Sequence, residues 1–207
     1  MPMKIAIHCG LTLLLLIAPA YAQHMMISQS APLGGAQSKT AAPKIYTLPS
    51  GSVTRMVSPN KVWTLIFECP DYSQPRTLSI ERIGTKDRKE VKHYERSVDV
   101  GWSPNSRLFF VNDNFGSNGA SAYVYDPLTL KETDLAELIL AKYHDADDYV
   151  GAGHSYLRVK RWMNSHQLTV TLNGHFDDPP PARGFAMAYR VDVRTGEVSR
   201  LYRHIYN

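Results

Sequence analysis

The chain has 207 residues, with 23 Lys and Arg against 19 Asp and Glu and a formal net charge of +4. A positive balance this small gives no support to a nucleic-acid binder driven by charge and is the ordinary surface of a soluble domain. Its two cysteines, Cys9 and Cys69, are too few for a disulfide-stapled scaffold. The first 22 residues read as a secretory signal peptide. Lys4 supplies the positive start, residues 11–17 a short apolar run, and Ala20-Tyr21-Ala22 a small-x-small cleavage site. The apolar run is too short to span a bilayer, and Cys9 precedes it, out of place for a lipoprotein cysteine. Cleavage after Ala22 leaves 185 of the 207 residues, enough for one domain with a core. It removes only Lys4 among the charges, so 22 basic residues face 19 acidic ones, a net +3. The expected location is the periplasm, with full secretion as the alternative, and no membrane insertion once the leader is gone.

Residues 23–43 are rich in Ser, Ala, Gly and Gln, have few large apolar groups and no periodicity. They read as a flexible tether, because so little apolar burial cannot offset the entropy of ordering. A single β-repeat domain is expected over residues 44–207. Its signature is a three-fold repeat: residues 57–68 (VSPNKVWTLIFE), 102–113 (WSPNSRLFFVND) and 162–173 (WMNSHQLTVTLN) align without a gap. The offsets, 45 residues from Val57 to Trp102 and 60 from Trp102 to Trp162, fall in the range of repeated four-stranded β units. In each segment a turn precedes a strand. Proline presets φ for the turn, and the Ser and Asn side chains can bond nearby backbone. A second strand follows 13 residues later in the first two units, from Glu68 to Glu81 and from Asp113 to Asp126, and 19 later in the third, from Asn173 to Asp192. The six extra residues lie in the proline-rich stretch 175–183. Further turns at 83–87, 127–132 and 193–197 carry Gly, Pro and polar residues.

The segments SPNKVWTLIF and WSPNSRLFFVND resemble the core of the WD-like propeller repeats of TolB-type periplasmic proteins. The resemblance covers about two-thirds of the mature chain. It implies an all-β fold of antiparallel meander repeats, propeller-like or an open sandwich, and it implies binding surfaces without a shared active site. Closed propellers have four or more blades, whereas three units are readable. Either the flanks 45–48 and 197–206 supply further strands, or the meander packs as an open sandwich, or two chains assemble; the oligomeric state is left open.

One short helical insert is expected between the second and third units. Asp134 followed by Glu137 resembles a capping box, and Leu135, Leu138, Ile139 and Lys142 share one helical face over residues 134–143. Beyond it, Asp145, Asp147 and Asp148 in HDADD bring carboxylates together, yet the loop lacks the glycine and terminal glutamate of an EF-hand, so a solvated acidic turn is expected. His144, His154, His166 and His175 show no short paired spacing and read as independent surface histidines. GHSYL (153–157) is half a nucleophile elbow, with Leu157 where the second glycine belongs. Trp102 and Trp162 occupy equivalent repeat positions and read as packing residues, and Cys69 as a buried free thiol.

No catalytic residue, metal ligand or cofactor is assigned. The expected site is the set of loops following the first strand of each unit, 69–75, 114–119 and 174–184, which repeat symmetry should project from one side. They present Tyr72, Phe115, Phe176, Asp177, Asp178 and Arg183 as binding residues, since aromatic and Arg anchors on a rigid scaffold suit recognition. The expected partner is a protein of the cell envelope, not nucleic acid, engaged by a non-enzymatic exported protein, of which an inhibitor or immunity protein is one concrete form. The alternative is an envelope enzyme or a small-ligand or metal-binding protein built on Asp113, His144, Asp147 and His175.

Overall fold

The computed structural model describes residues 44–46, 51–71, 73–177 and 183–206. Residues 1–22, read as a signal peptide, residues 23–43, read as a tether, and Tyr72 and Asp178 lie outside them. Contacts divide the chain into Met1–Ala36 and Gln37–Asn207, and every described residue falls in the second part.

Each repeat unit is a four-stranded antiparallel meander. The first comprises β2 (Ser52–Val57), β3 (Trp63–Cys69), β4 (Arg76–Arg82) and β5 (Arg88–Tyr94), and forms a sheet of its own, in that order. The second comprises β6 (Ser97–Trp102), β7 (Phe109–Asn114), β8 (Gly119–Tyr125) and the short β9 (Glu132–Asp134). The third comprises β10 (His154–Trp162), β11 (Gln167–His175), β12 (Gly184–Asp192) and β13 (Glu197–Tyr206). A brief parallel contact, Ser155 opposite Gly119 and Tyr156 opposite Ala120, joins the second and third units into one nine-stranded sheet. Both flanks contribute strands. β1 (Lys44–Tyr46) pairs with β6, and β13 pairs with β12. Neither closes a ring among the described residues, so the architecture is all-β, propeller-like and open.

The strands stack through two cores. Leu65, Phe67, Leu78 and Ile80 of the first unit meet Val98, Val100, Phe109, Val111 and Tyr125 of the second. The opposite face of the second unit, with Phe110, Ala122 and Val124, meets Leu157, Val159, Trp162, Val170 and Tyr189 of the third. The sequence LFFV at 108–111 serves both, because successive strand residues point to opposite faces. Trp102 packs on Phe109 in the first core, their rings tilted and 5.1 Å apart. In the second core Trp162 donates from Nε1 to the Gly101 carbonyl at 3.0 Å. Cys69 is a buried free thiol.

The helical insert forms as α1 (Leu135–Lys142), where the Asp134 carboxylate accepts from the Ala136 N–H at 2.7 Å and Leu135 and Ile139 enter the second core. A 3-10 turn (His144–Ala146) and α2 (Asp147–Val150) follow it, so the HDADD stretch is helical. Its Asp145 pairs with Arg200 at 2.5 Å and with Arg203 at 2.9 Å on β13. The Arg200 hydrogen bond is foremost in holding that carboxyl below the usual range, while slight burial opposes it.

Candidate functional site

The repeat loops sit where the second and third strands of each unit meet. Their roots are fixed by register, with Glu68 opposite Thr77, Asp113 opposite Ser121, and His175 opposite Gly184. A run of polar contacts links these roots along one end of the molecule. Arg76, beside the first loop, donates to the carbonyls of Glu95 and Arg96, the latter at 2.9 Å. Arg96 and Ser97 line a cleft of about 490 Å³ with Asn114, Gly116, Ser117, Tyr156 and Arg158. Across it Arg158 Nε donates to Asn114 Oδ1 at 3.1 Å, the Tyr156 hydroxyl to the Ser117 carbonyl at 2.5 Å, and the Ser155 N–H to the Asn118 carbonyl at 2.9 Å. β10 therefore begins against the second repeat loop, and its first residue, His154, touches the third.

At that contact His154 and His175 are direct cross-strand partners, their rings stacked at 4.1 Å. Asp177 Oδ1 lies 2.8 Å from His154 Nδ1 and 3.3 Å from His175 Nε2. The expectation of independent histidines is thus corrected for this pair. Twenty-one positions separate them in sequence, but the hairpin of β10 and β11 sets them side by side. One ligand atom from each of the three residues falls within 4.8 Å of the others.

A second, larger cleft of about 840 Å³ opens beside this group, bordered by Asp147 and Asp148 of α2, Gly153, Phe176, Asp177 and Arg183. Of the sequence-selected residues, Phe115 is 43% exposed and Arg183 is exposed at the cleft, where its carbonyl accepts from the Phe176 N–H at 3.0 Å. Phe176 is half-buried. Its ring packs on Tyr149 at 5.5 Å and on Phe185 at 5.4 Å, so it anchors the loop to the core and is not a free contact. Tyr72 and Asp178 lie outside the described residues.

The four alternative candidates do not converge. Asp147 borders the larger cleft and His175 adjoins Asp177, but His144 is exposed and outside that lining. Asp113 is buried between the first and second units, where Lys92 pairs with it at 3.3 Å. Burial pushes its carboxyl up, and Lys92 opposes that rise. His166 pairs with Asp192 at 3.3 Å in the turn before β11. No helix among the described residues is long and apolar enough to cross a membrane.

No protein-family model matches the chain, and no curated protein does. Solved structures similar to it include TolB from Acinetobacter baumannii, at 13% identity and a TM-score of 0.40, covering 71% of this chain and 31% of that one. A putative TolB from Agrobacterium tumefaciens matches at 11% identity and 0.43, over 77% and 52%. The acylaminoacyl peptidase of Pyrococcus horikoshii matches at 14% and 0.42, over 78% and 25%. The chain thus spans between a quarter and about half of these structures. Similarity at this level decides nothing about activity or partner.

Proposed function

We propose that the protein is an exported, non-enzymatic binding protein that engages another protein of the cell envelope through its loop end. The observation that carries this reading is the set of contacts between the loop roots: Arg76 with the Arg96 carbonyl, Asn114 with Ser97 and Arg158, Tyr156 with the Ser117 carbonyl, and His154 with Asp177. It ties the described roots of the repeat loops to one another, and roots fixed in this way lose little entropy on docking. Phe115 and Arg183 stand exposed on that surface as an aromatic and a cationic anchor. The leader features at residues 1–22 direct the chain to the periplasm. An inhibitor or immunity protein that covers the active site of a secreted toxin or hydrolase is the concrete form of this function.

The test is affinity capture from native envelope with the mature chain, followed by titration of the recovered protein against variants. Phe115→Ser and Arg183→Glu should each weaken that complex at least about tenfold, as expected for truncated interface anchors. Equal affinity for wild type and both variants would refute the assignment.

A further inference from the structure

We propose that His154, His175 and Asp177 form a binding site for a divalent transition-metal ion, zinc in the first instance. Two imidazole nitrogens and one carboxylate oxygen suit zinc and its first-row neighbours, whereas calcium and magnesium favour all-oxygen shells. Spacing points the same way. With metal–ligand bonds of about 2.0–2.2 Å, adjacent ligands of a tetrahedral zinc lie about 3.3 Å apart. The two His-to-Asp separations are 2.8 and 3.3 Å, so small side-chain adjustments admit an ion.

The backbone holds the ligands in place before any ion arrives. The β10–β11 ladder sets His154 opposite His175, which fixes the spacing of both imidazoles. Gly174, adjoining His175, lets the strands approach closely, since a Cβ there would fall 1.8 Å from the His154 carbonyl oxygen. Gly153, preceding His154, leaves room for the carboxylate, since a Cβ there would sit 2.1 Å from Asp177 Oδ2. Two Gly-His pairs thus meet across the hairpin, each histidine ten positions from the Asn164–Ser165 turn.

The surroundings favour a cation and leave it reachable. Asp147 and Asp148 border the adjoining cleft with Asp177, against one cation, Arg183, among the described lining residues. The side chains of His154, His175 and Asp177 are 33%, 40% and 55% exposed, so coordination positions remain for water. With three protein ligands and an open position, the ion is exchangeable, unlike one locked in a closed structural site. It ties Asp177, at the root of the third repeat loop, to both strands of the hairpin. The competing account is a hydrogen-bonded His–Asp–His chain that holds no ion. The site stands independently of the loop-end reading, because a partner could be bound with or without it.

The experiment is a Co²⁺ titration of the tag-free mature chain, read by visible absorption and reversed by Zn²⁺, with thermal unfolding in EDTA to confirm that each variant is folded. Wild type should bind one Co²⁺ with the intense spectrum of a four-coordinate site. His154→Gln, His175→Gln and Asp177→Asn should each weaken binding by more than the roughly 10–100-fold loss typical of an outer-shell change, while His144→Gln and His204→Gln leave it unaltered. Gly153→Ala retains every ligand and meets only the exposed end of Asp177, so it should weaken binding less than loss of the carboxylate; where one ligand variant fails to fold, the other two carry the test. Absence of Co²⁺ and Zn²⁺ binding by wild type at micromolar concentration would overturn the proposal. So would binding that survives the ligand substitutions. Loss of metal binding with the partner complex intact would leave the loop-end function standing.

Discussion

Asn112 and Asp113 are neighbours on β7 whose side chains point to opposite faces, and each secures a different unit. The Asn112 amide spans the β10 backbone, accepting from the Val159 N–H at 2.8 Å and donating to the Val159 carbonyl at 3.0 Å. Asn112→Ala leaves both backbone groups buried without these partners, at a cost of about 2–4 kcal/mol, readable as a lowered denaturant midpoint. Asp113 turns the other way, to Lys92 of β5. Lys92→Met removes the counter-charge from a buried carboxylate and should destabilise the fold by about 2–4 kcal/mol at neutral pH. The sign of its pH dependence follows from burial, which raises the Asp113 carboxyl in the folded state above its ordinary 3.8. The folded variant then holds the proton more tightly than the unfolded chain. The penalty is complete above the folded value and fades as pH falls through it toward 3.8, so unfolding at a series of pH values should show the gap to wild type narrowing in acid. A gap that widens in acid would contradict this.

At the scale of elements, the repeated turn is the clearest link from sequence to structure. In the first unit Ser58 Oγ accepts from the Trp63 N–H at 3.0 Å and Asn60 Oδ1 from the Val62 N–H at 3.1 Å. In the second, Ser103 Oγ accepts from the Leu108 N–H at 3.0 Å and Asn105 Oδ1 from the Arg107 N–H at 3.2 Å. Lys61 and Ser106 follow in the left-handed region, at φ 58° and 59°. Lys61 is exposed, so Lys61→Gly should relieve that strain and raise stability by about 0.5–1 kcal/mol, a rise of a few degrees in Tm. The strands after these turns were legible because both cores claim their apolar runs. β2 and β5 were not: β2 alternates half-buried and exposed positions, and most of β5, RKEVKHY, faces solvent, so neither leaves a strong apolar pattern. The His154–His175–Asp177 group stayed hidden for a related reason. Without β10 placed as the partner of β11, nothing in the spacing of His154 and His175 joins them; pairing residues equidistant from the Asn164–Ser165 turn would have found them. Phe176 was selected as a surface anchor from its loop position, but its ring packs on Tyr149 and Phe185, in elements that the repeat alignment could not bring together.

For the molecule as a whole, the repeat makes the two ends of each strand unequal. One end carries the tight turns and the connections at Ile83 and Leu128, which vary little between units. The other carries the repeat loops, lengthened and proline-rich in the third unit, together with the start of β10 and clefts of about 840 and 490 Å³, against one of about 430 Å³ at the turn end. Rigid units bonded to each other beneath variable loops are the arrangement in which recognition is separated from folding. The fold class was therefore readable from the repeat, whereas the site depends on contacts between units that a single-unit alignment does not contain. The most direct measurement of the central claim is site-specific photocrosslinking in the native envelope. A photoreactive residue would be placed at Phe115 or Arg183 on the loop end, and at Ile83, Leu128 or Met163 on the opposite end, all of them exposed. The account predicts one discrete adduct from Phe115 and Arg183 and none from the other three positions. Adducts from the opposite end, with none from the loop end, would contradict it.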